Sequence, residues 1–236
     1  MPDDSELRSR VIDPVSGEEL LDLGPRQVLL ASGRDFSPAG TFEPGRYLAV
    51  SIGSDDVEIY DMQTRSLLST LGLEGDFIFS AAFDPTGRYL HGGTQHGRAW
   101  VMDFAAVVDG TPSSDALVMN VVAHAGGVPI QVMNADGVLA TGAVNGTLRL
   151  WDVSQGALIV ELERDMDSLP FVAFSPDGEY LYYSDLGQAG YVIRRFALDP
   201  EQLVALAESR VTRELTEESV VAFPPRLPAV DPPYAA

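Results

Sequence analysis

The chain of 236 residues contains no cysteine and no lysine. Without cysteine it forms no disulfide, no zinc–thiolate site and no thiol nucleophile, which suits a reducing compartment and predicts a cytoplasmic location. The sequence also lacks any run of about 18 continuous apolar residues, and its acidic N-terminus does not resemble a secretory signal. Neither a membrane span nor an export signal is therefore expected.

Positive charge is scarce along the whole chain. Its 15 basic residues are all arginine and face 35 acidic residues, which gives a net charge of −20. Such a surface repels phosphate backbones and anionic lipids, so neither nucleic acid nor membrane is an expected partner. The 22 Gly and 16 Pro predict short secondary-structure elements, whereas the 45% apolar content is sufficient for a substantial core.

A repeated unit organises the sequence. Strand-like segments such as "SDDVEIYD" and "NGTLRLWD" recur at intervals of 42 to 49 residues, and a second signature such as "VAFSPDGEYLYYS" precedes the later copies. The copies end at Asp13, Asp61, Asp103, Asp152 and, in degenerate form, Ala197. Pro and Gly occupy the turns, and apolar residues alternate between them, so each complete unit predicts four β-strands.

These motifs resemble those of WD-repeat β-propellers, over residues 8–198. The likeness is strongest for "ATGAVNGTLRLWD" and "FSPDGEYLYYS". It implies an all-β fold of about four propeller blades, forming an incomplete ring or open arc and followed by a C-terminal helix. The resemblance also implies a buried polar network of His124, Thr141, Asn145 and Trp151, in which Asn145 stands where the family has Asp.

The two ends of the chain depart from the repeat. The sequence begins inside a unit, so Arg8–Ile12 and Glu18–Leu23 are expected to be the third and fourth strands of a partial blade. An alternative is that Glu18–Leu23 pairs with Tyr191–Phe196 and closes a small ring. The predicted divisions are blades over 1–198, a helix over 199–218 that Asp199 would cap, and a Pro-rich, disordered tail over 219–236.

Catalytic chemistry has little support in the sequence. There is no P-loop and no G-x-S-x-G elbow, and the three histidines, His91, His96 and His124, are interpreted as structural or exposed turn residues. We therefore expect no catalytic, metal or cofactor site. The residues predicted to contact a partner lie in hairpins and in one insertion: Asp55, Asp56, Gln95, His96, Ser113, Ser114 and Asp115.

Strand alternation leads to expectations for two arginines. Arg149 is assigned to the sheet face opposite Trp151, where it should contribute little to stability. Arg195 is expected to extend into water from an open terminal blade.

The function implied by the resemblance is recognition of a protein partner or self-association. The phrase "LDPEQLVALAESRVTRELTEE" resembles the segment that closes WD-repeat regions in large actinobacterial proteins, where a signalling ATPase or transcriptional-regulator module is joined to a propeller. The resemblance thus implies a non-enzymatic interaction or sensor module of a bacterial signalling system. The alternatives are a propeller-type hydrolase or lyase that uses funnel residues, and a degenerate propeller remnant.

Overall fold

The computed structural model describes residues 8–24, 36–51, 55–73, 75–162, 164, 169–187 and 190–199. The chain divides into one compact unit, Met1–Phe196, and a second, Ala197–Ala236, of which only residues 197–199 are described. The predicted helix beyond Asp199 and the predicted disordered tail lie outside the described residues.

Within the described residues, sixteen strands form five antiparallel sheets that follow the repeat. A partial first blade has β1 (Ser9–Ile12) and β2 (Glu19–Gly24). The second has β3 (Tyr47–Ser51), β4 (Asp56–Asp61) and β5 (Ser66–Gly72). The third has β6 (Ile78–Phe83), β7 (Tyr89–Thr94), β8 (Arg98–Asp103) and β9 (Leu117–Val122). The fourth has β10 (Ile130–Met133), β11 (Val138–Gly142), β12 (Leu148–Asp152) and β13 (Ala157–Leu162). The fifth has β14 (Val172–Phe174), β15 (Tyr180–Gly187) and β16 (Gly190–Ala197).

The turns that join the first two strands of the third and fourth blades share the same pattern of side-chain to backbone hydrogen bonds. In the third blade, the Asp84 carboxylate accepts hydrogen bonds from the backbone nitrogens of Thr86, at 3.0 Å, and Tyr89, at 2.7 Å. The turn ends in Gly87, whose φ of 70° favours glycine. Asn134 accepts equivalent bonds in the fourth blade. Local side-chain bonding explains why this short motif specifies a tight reversal.

A second repeated feature is a β-bulge between the last two strands of the second, third and fourth blades. The register shifts between Ile59 and Tyr60, between Val101 and Met102, and between Leu150 and Trp151. In each case one extra residue stands on the last strand of the blade: Leu68, Val118 or Ile159. All three extra residues are exposed, because a bulged residue leaves the regular pleat.

The cores lie between successive blades. The core between the second and third blades contains an aromatic group in which Phe104 contacts Phe42, Tyr47 and Phe83 edge to face, with ring centroids 4.7–5.3 Å apart. The core between the third and fourth blades places Trp151 among residues of both sheets. Leu21 and Leu23 of the partial blade pack on the second blade.

The partial blade has the two strands expected for it, β1 and β2, which pair with each other. Among the described residues, the pairing of Glu18–Leu23 with Tyr191–Phe196 that would close a small ring does not occur: β16 has β15 as its neighbour. The third strand of the last sheet is also unusual. It exposes Tyr191 by 81% and Ile193 by 61%, whereas β8 and β12 are mostly buried.

Candidate functional site

A polar network crosses the fourth blade. His124 Nε2 lies 2.8 Å from Thr141 Oγ1, and the same hydroxyl accepts a 2.9 Å hydrogen bond from Trp151 Nε1. On its other side, His124 Nδ1 lies 2.6 Å from Thr147 Oγ1, which donates to Asn145 Oδ1 at 2.8 Å. The structure therefore brings together the four residues implied by the resemblance. Sequence reasoning missed Thr147, which links the amide of Asn145 to the imidazole.

Burial lowers the pKa of His124 from 6.5 to about 4. The positive charge of Arg149 lowers this pKa further, whereas a hydrogen bond to Thr141 and the charge of Glu161 oppose the change. His124 is consequently neutral at neutral pH, with one ring nitrogen donating and the other accepting. Both nitrogens are already engaged, so this imidazole holds the blade together rather than taking protons from a substrate.

The expectation for Arg149 is wrong. The register pairs Arg149 with Thr141, and residues two apart on a strand share a face, so Arg149 and Trp151 lie on the same side of the sheet. Its guanidinium makes a 2.7 Å ion pair with Glu161 and donates to the backbone oxygen of Ala123. Arg149 therefore supports the segment that carries His124.

The third blade carries a different polar group at the corresponding end. The Asp76 carboxylate is nearly buried and accepts a 2.5 Å hydrogen bond from Thr94 Oγ1. Its other oxygen accepts from the His96 backbone nitrogen at 3.1 Å and lies 2.7 Å from His96 Nδ1. The imidazole itself remains largely exposed. Asp76 thus fixes the hairpin that presents Gln95 and His96 to solvent.

A cleft of about 620 Å³ lies between the second and third blades. One side is formed by the end of β5 and the loop after it, and the other by the outer strands of the third blade. Its lining residues are Gly72, Leu73, Asp76, Arg98, Ser113, Ser114, Leu117 and Asn120. This volume is within the range that accommodates a ligand or several side chains of a partner.

The composition of residues 111–115 is typical of a loop, but the structure shows that the insertion before β9 is partly helical. It contains two short helices, α1 (Phe104–Val108) and α2 (Ser113–Ala116). The Asp103 carboxylate caps α1 by accepting hydrogen bonds from the backbone nitrogens of Ala105 and Ala106. Phe104 is fully buried in the inter-blade core and anchors the insertion. Ser113 and Ser114 of α2 are thereby held against the cleft.

Several other predicted contact residues lie next to the same cleft. The Asp55 backbone oxygen accepts from Leu73 at 3.0 Å, and its carboxylate accepts from Gly75 at 3.4 Å. Asp56 pairs with Gly72 in the sheet, and Asp115 follows Ser114 in α2. Gln95 is exposed in its hairpin and does not line the cleft. The tertiary structure thus groups residues that are far apart in sequence.

Two smaller cavities, of about 350 and 230 Å³, follow the first strands β10 and β14. Most of the residues that line them are apolar. The polar exceptions include Ser80, which donates a 2.6 Å hydrogen bond to Gln131 Oε1, and buried His91. Gln131 also donates to the Val128 backbone oxygen. These amide and hydroxyl groups hold the inner strands in place.

The last blade holds the two neighbouring arginines differently. Arg195 is exposed, as expected, and its guanidinium lies over the Tyr180 ring, 4.4 Å from the centroid. Arg194 forms an ion pair with the buried carboxylate of Asp185. Arg164 donates to the Ser184 backbone oxygen at 2.9 Å, and burial lowers the pKa of its guanidinium.

Two general properties bear on the site. Within the part of the chain that the structure describes, no group of three or more His, Cys, Asp and Glu side chains is arranged to hold a metal ion. None of the described helices is both long and apolar enough to cross a bilayer.

No family model matches the chain, but comparison with known proteins identifies relatives that share parts of its sequence. It is 29% identical over 136 residues to the guanine nucleotide-binding protein subunit beta of Schizosaccharomyces pombe, covering 56% of this chain and 42% of that protein. It is 43% identical over 47 residues to the mouse F-box-like/WD repeat-containing protein TBL1X, covering 20% of this chain and 9% of that protein. The chain thus spans less than half the length of these curated relatives.

Solved structures show the same architecture. The computationally designed protein Ika8 aligns with a TM-score of 0.58 at 14% identity, over 80% of this chain and 52% of that one. The designed protein Ika4 aligns with a TM-score of 0.54 at 14% identity, over 78% and 99% respectively. A chain of the mitotic checkpoint complex gives 0.53 at 20% identity, over 73% and 52%. Together with the repeated antiparallel blades, these similarities support a WD-repeat β-propeller fold for this chain.

Proposed function

We propose that this chain is a non-enzymatic protein-interaction module of a bacterial signalling or regulatory system. The relatives with WD repeats support the interaction role, and the likeness of residues 198–218 to actinobacterial propeller-closing segments supports the bacterial setting. The cytoplasmic location and the exclusion of nucleic acid and membrane partners stay predictions that follow from composition.

The observation that carries this proposal is the cleft between the second and third blades. The helical insertion adds a wall to an inter-blade groove, and predicted contact residues from separate loops border it. Insertions positioned by a rigid scaffold are common sites of binding. The buried Phe104 gives this wall a fixed position, so a partner meets a preformed surface.

A photo-crosslinking amino acid tests the proposal in cells that naturally express the chain. Placed at Ser114, it should give a discrete covalent adduct with one partner, whereas the same group at exposed Ala157 of β13 should not. The partner is then identified by mass spectrometry and titrated against the purified chain. We expect Ser114→Trp to weaken its binding at least tenfold and Ala157→Trp to leave it unchanged. Equal adducts from both positions would contradict the proposal.

Self-association is the other form of the same proposal. The exposed third strand of the last blade supports it, because large apolar side chains at the surface often mark contacts. Sedimentation velocity over a concentration series tests this form. A mass that rises with concentration is expected, and a constant monomer mass would leave only a different protein as the partner.

The enzyme alternative rests on one pair, Asp76 and His96, because this imidazole is exposed and oriented by a carboxylate. We expect no turnover of ester, peptide or nucleotide substrates. Turnover that His96→Gln abolishes, with folding preserved, would establish the enzyme in place of the interaction module.

A further inference from the structure

We propose that the cleft between the second and third blades binds an extended, basic segment of a partner protein, which pairs with the free edge of β9. This inference rests on the proposed function and specifies the partner's chemistry.

The backbone of β9 offers a place for another strand. β9 is the outermost strand of its sheet, and β8 is its neighbour among the described residues. After the bulge at Val118, the pairing of β9 with β8 is regular from Met119 to Val122. An outer strand presents backbone N–H and C=O groups on its free side, which an extended peptide can pair with by strand addition.

The side chains along β9 also suit an extended partner. Val118, Asn120 and Val122 are exposed, while Met119 between them is buried in the core. Asn120 is fixed, because its side-chain oxygen accepts a 3.0 Å hydrogen bond from Arg98. A partner strand would therefore meet apolar side chains on both sides of one fixed polar residue.

The insertion distinguishes β9 from the equivalent outer strand β13. In the fourth blade, the short turn of residues 153–156 joins β12 to β13, and β13 exposes Leu158 and Ile159 with no helix of the described residues beside them. In the third blade, α2 places Ser113 and Ser114 against the cleft that Leu117 and Asn120 of β9 also line. A segment paired with β9 therefore enters a walled cleft, whereas the described residues around β13 form no such wall.

The charge around the cleft selects a basic segment. Asp76 lines it, Asp55 bonds to the loop that borders it, and Asp115 projects from the same helix as Ser114. Among the described residues that line the cleft, Arg98 carries a positive charge and is bonded to Asn120. A chain with a net charge of −20 repels acidic segments generally, so opposite charge favours arginine or lysine side chains at this cleft.

Fluorescence anisotropy with two labelled peptides tests the inference on the full chain. The basic probe is acetyl-Thr-Val-Arg-Val-Arg-Val-Thr-amide, and the acidic probe has Glu at both Arg positions. We expect the basic probe to bind at least tenfold more tightly, with affinity that falls as salt is raised. Equal binding of the two probes, or tighter binding of the acidic one, would overturn the inference.

Variants separate binding at the cleft from general attraction to an acidic protein. Ser114→Trp keeps the net charge and fills the cleft, so it should reduce binding of the basic probe at least tenfold. Ala157→Trp is the matched control and should have no effect. The double variant Asp55→Asn, Asp115→Asn should weaken binding several-fold. Unchanged binding by Ser114→Trp would show that the probe is held by overall charge alone, and the inference would be wrong.

The crosslinked partner distinguishes failure of this inference from failure of the proposed function. A partner captured at Ser114 whose contact segment is acidic or helical leaves the interaction module intact and overturns only the basic-strand assignment. A basic, extended contact segment supports both.

Discussion

At the position where the fourth blade carries Thr141, the third blade carries Gly92. The registers make these positions equivalent, since Thr141 pairs with Gln131 and Arg149, while Gly92 pairs with Ala81 and Trp100. In the fourth blade, the threonine hydroxyl is the centre of a hydrogen-bonded network. In the third blade, the missing side chain makes room for an indole.

The two blades therefore fill equivalent space with different groups, a hydrogen-bonded threonine in the fourth blade and an indole ring in the third. A Cβ on Gly92 would overlap both the Trp100 ring and the Ser80 backbone oxygen. Trp100 is fully buried, and its indole N–H has no hydrogen-bond partner among the described residues. Trp151 instead donates to Thr141. The repeat thus preserves the packed volume and the strand register of its sheets, while the interactions that stabilise each blade vary.

The largest expected effect comes from removing the indole of the fourth blade. Trp151→Ala should lower the free energy of unfolding by about 4 kcal/mol, because it leaves a cavity between blades and removes a donor to Thr141. Denaturant titration measures this loss. Trp151→Phe, which keeps most of the volume, should cost only about 1 kcal/mol. Equal losses from both variants would show that the hydrogen bond, and not the packing, dominates.

Exchanging the residues at this equivalent position should cost unequal amounts of stability in the two blades. Gly92→Thr should cost about 3 kcal/mol, because the new side chain meets an indole and a backbone oxygen that have little room to move. Thr141→Gly should cost less, since it creates space without a clash. Chemical unfolding midpoints of the two variants provide the measurement. An unfolding midpoint for Gly92→Thr equal to that of the unmodified chain would contradict the tight contact with Trp100.

The histidine of the fourth blade should make stability depend on pH. The pKa of His124 is lowered to about 4 in the folded chain, from 6.5, so the unfolded chain binds a proton more readily between these values. Stability from this group is complete above pH 6.5 and is lost as the pH falls towards 4. We expect a loss of about 2 kcal/mol after allowing for screening. His124→Asn should remove this part of the pH dependence, and an unchanged profile would contradict burial of a neutral imidazole.

The smallest expected effect concerns Arg149. Arg149→Met should cost about 1 kcal/mol, because the ion pair with Glu161 is partly exposed and the bond to Ala123 supports only a local segment. Removing this positive charge should also raise the pKa of His124 towards its ordinary value, which can be followed by NMR titration of the imidazole. An unchanged pKa would show that burial alone sets it.

Much of the fold was accessible from sequence because its signals are local. Turn residues such as Asp84 and Gly87 and the alternation along β12 act within a few residues, and the spacing of the copies revealed the blades. The helix α1 had a local signal as well, since Asp103 precedes an apolar segment and caps it. That signal overlaps the strand signal, because Asp103 is both the last residue of β8 and the N-cap of α1.

The candidate site was less accessible because it depends on contacts between blades. Leu73 and Asn120 meet in the cleft although they belong to different sheets, and no local pattern specifies how two blades are spaced. The predicted face of Arg149 is wrong, because Arg149 and Trp151 pair with Thr141 and Leu139, which lie on one face of β11. The role of Thr147 in linking Asn145 to His124 required the hairpin geometry.

The bulge shared by the second, third and fourth blades has a consequence for protein engineering. In these blades the chain leaves one strand and enters the last strand in the same register, so a connection from one blade fits the ladder of another. The registers predict that residues 104–115 can be replaced by the four-residue turn 153–156 without changing the ladder on either side, although the exchange removes the buried Phe104 from the core. The reverse graft would give the fourth blade its own helical wall. The helical wall of the proposed binding cleft is in this sense an exchangeable part of the scaffold, suited to transfer or to library design.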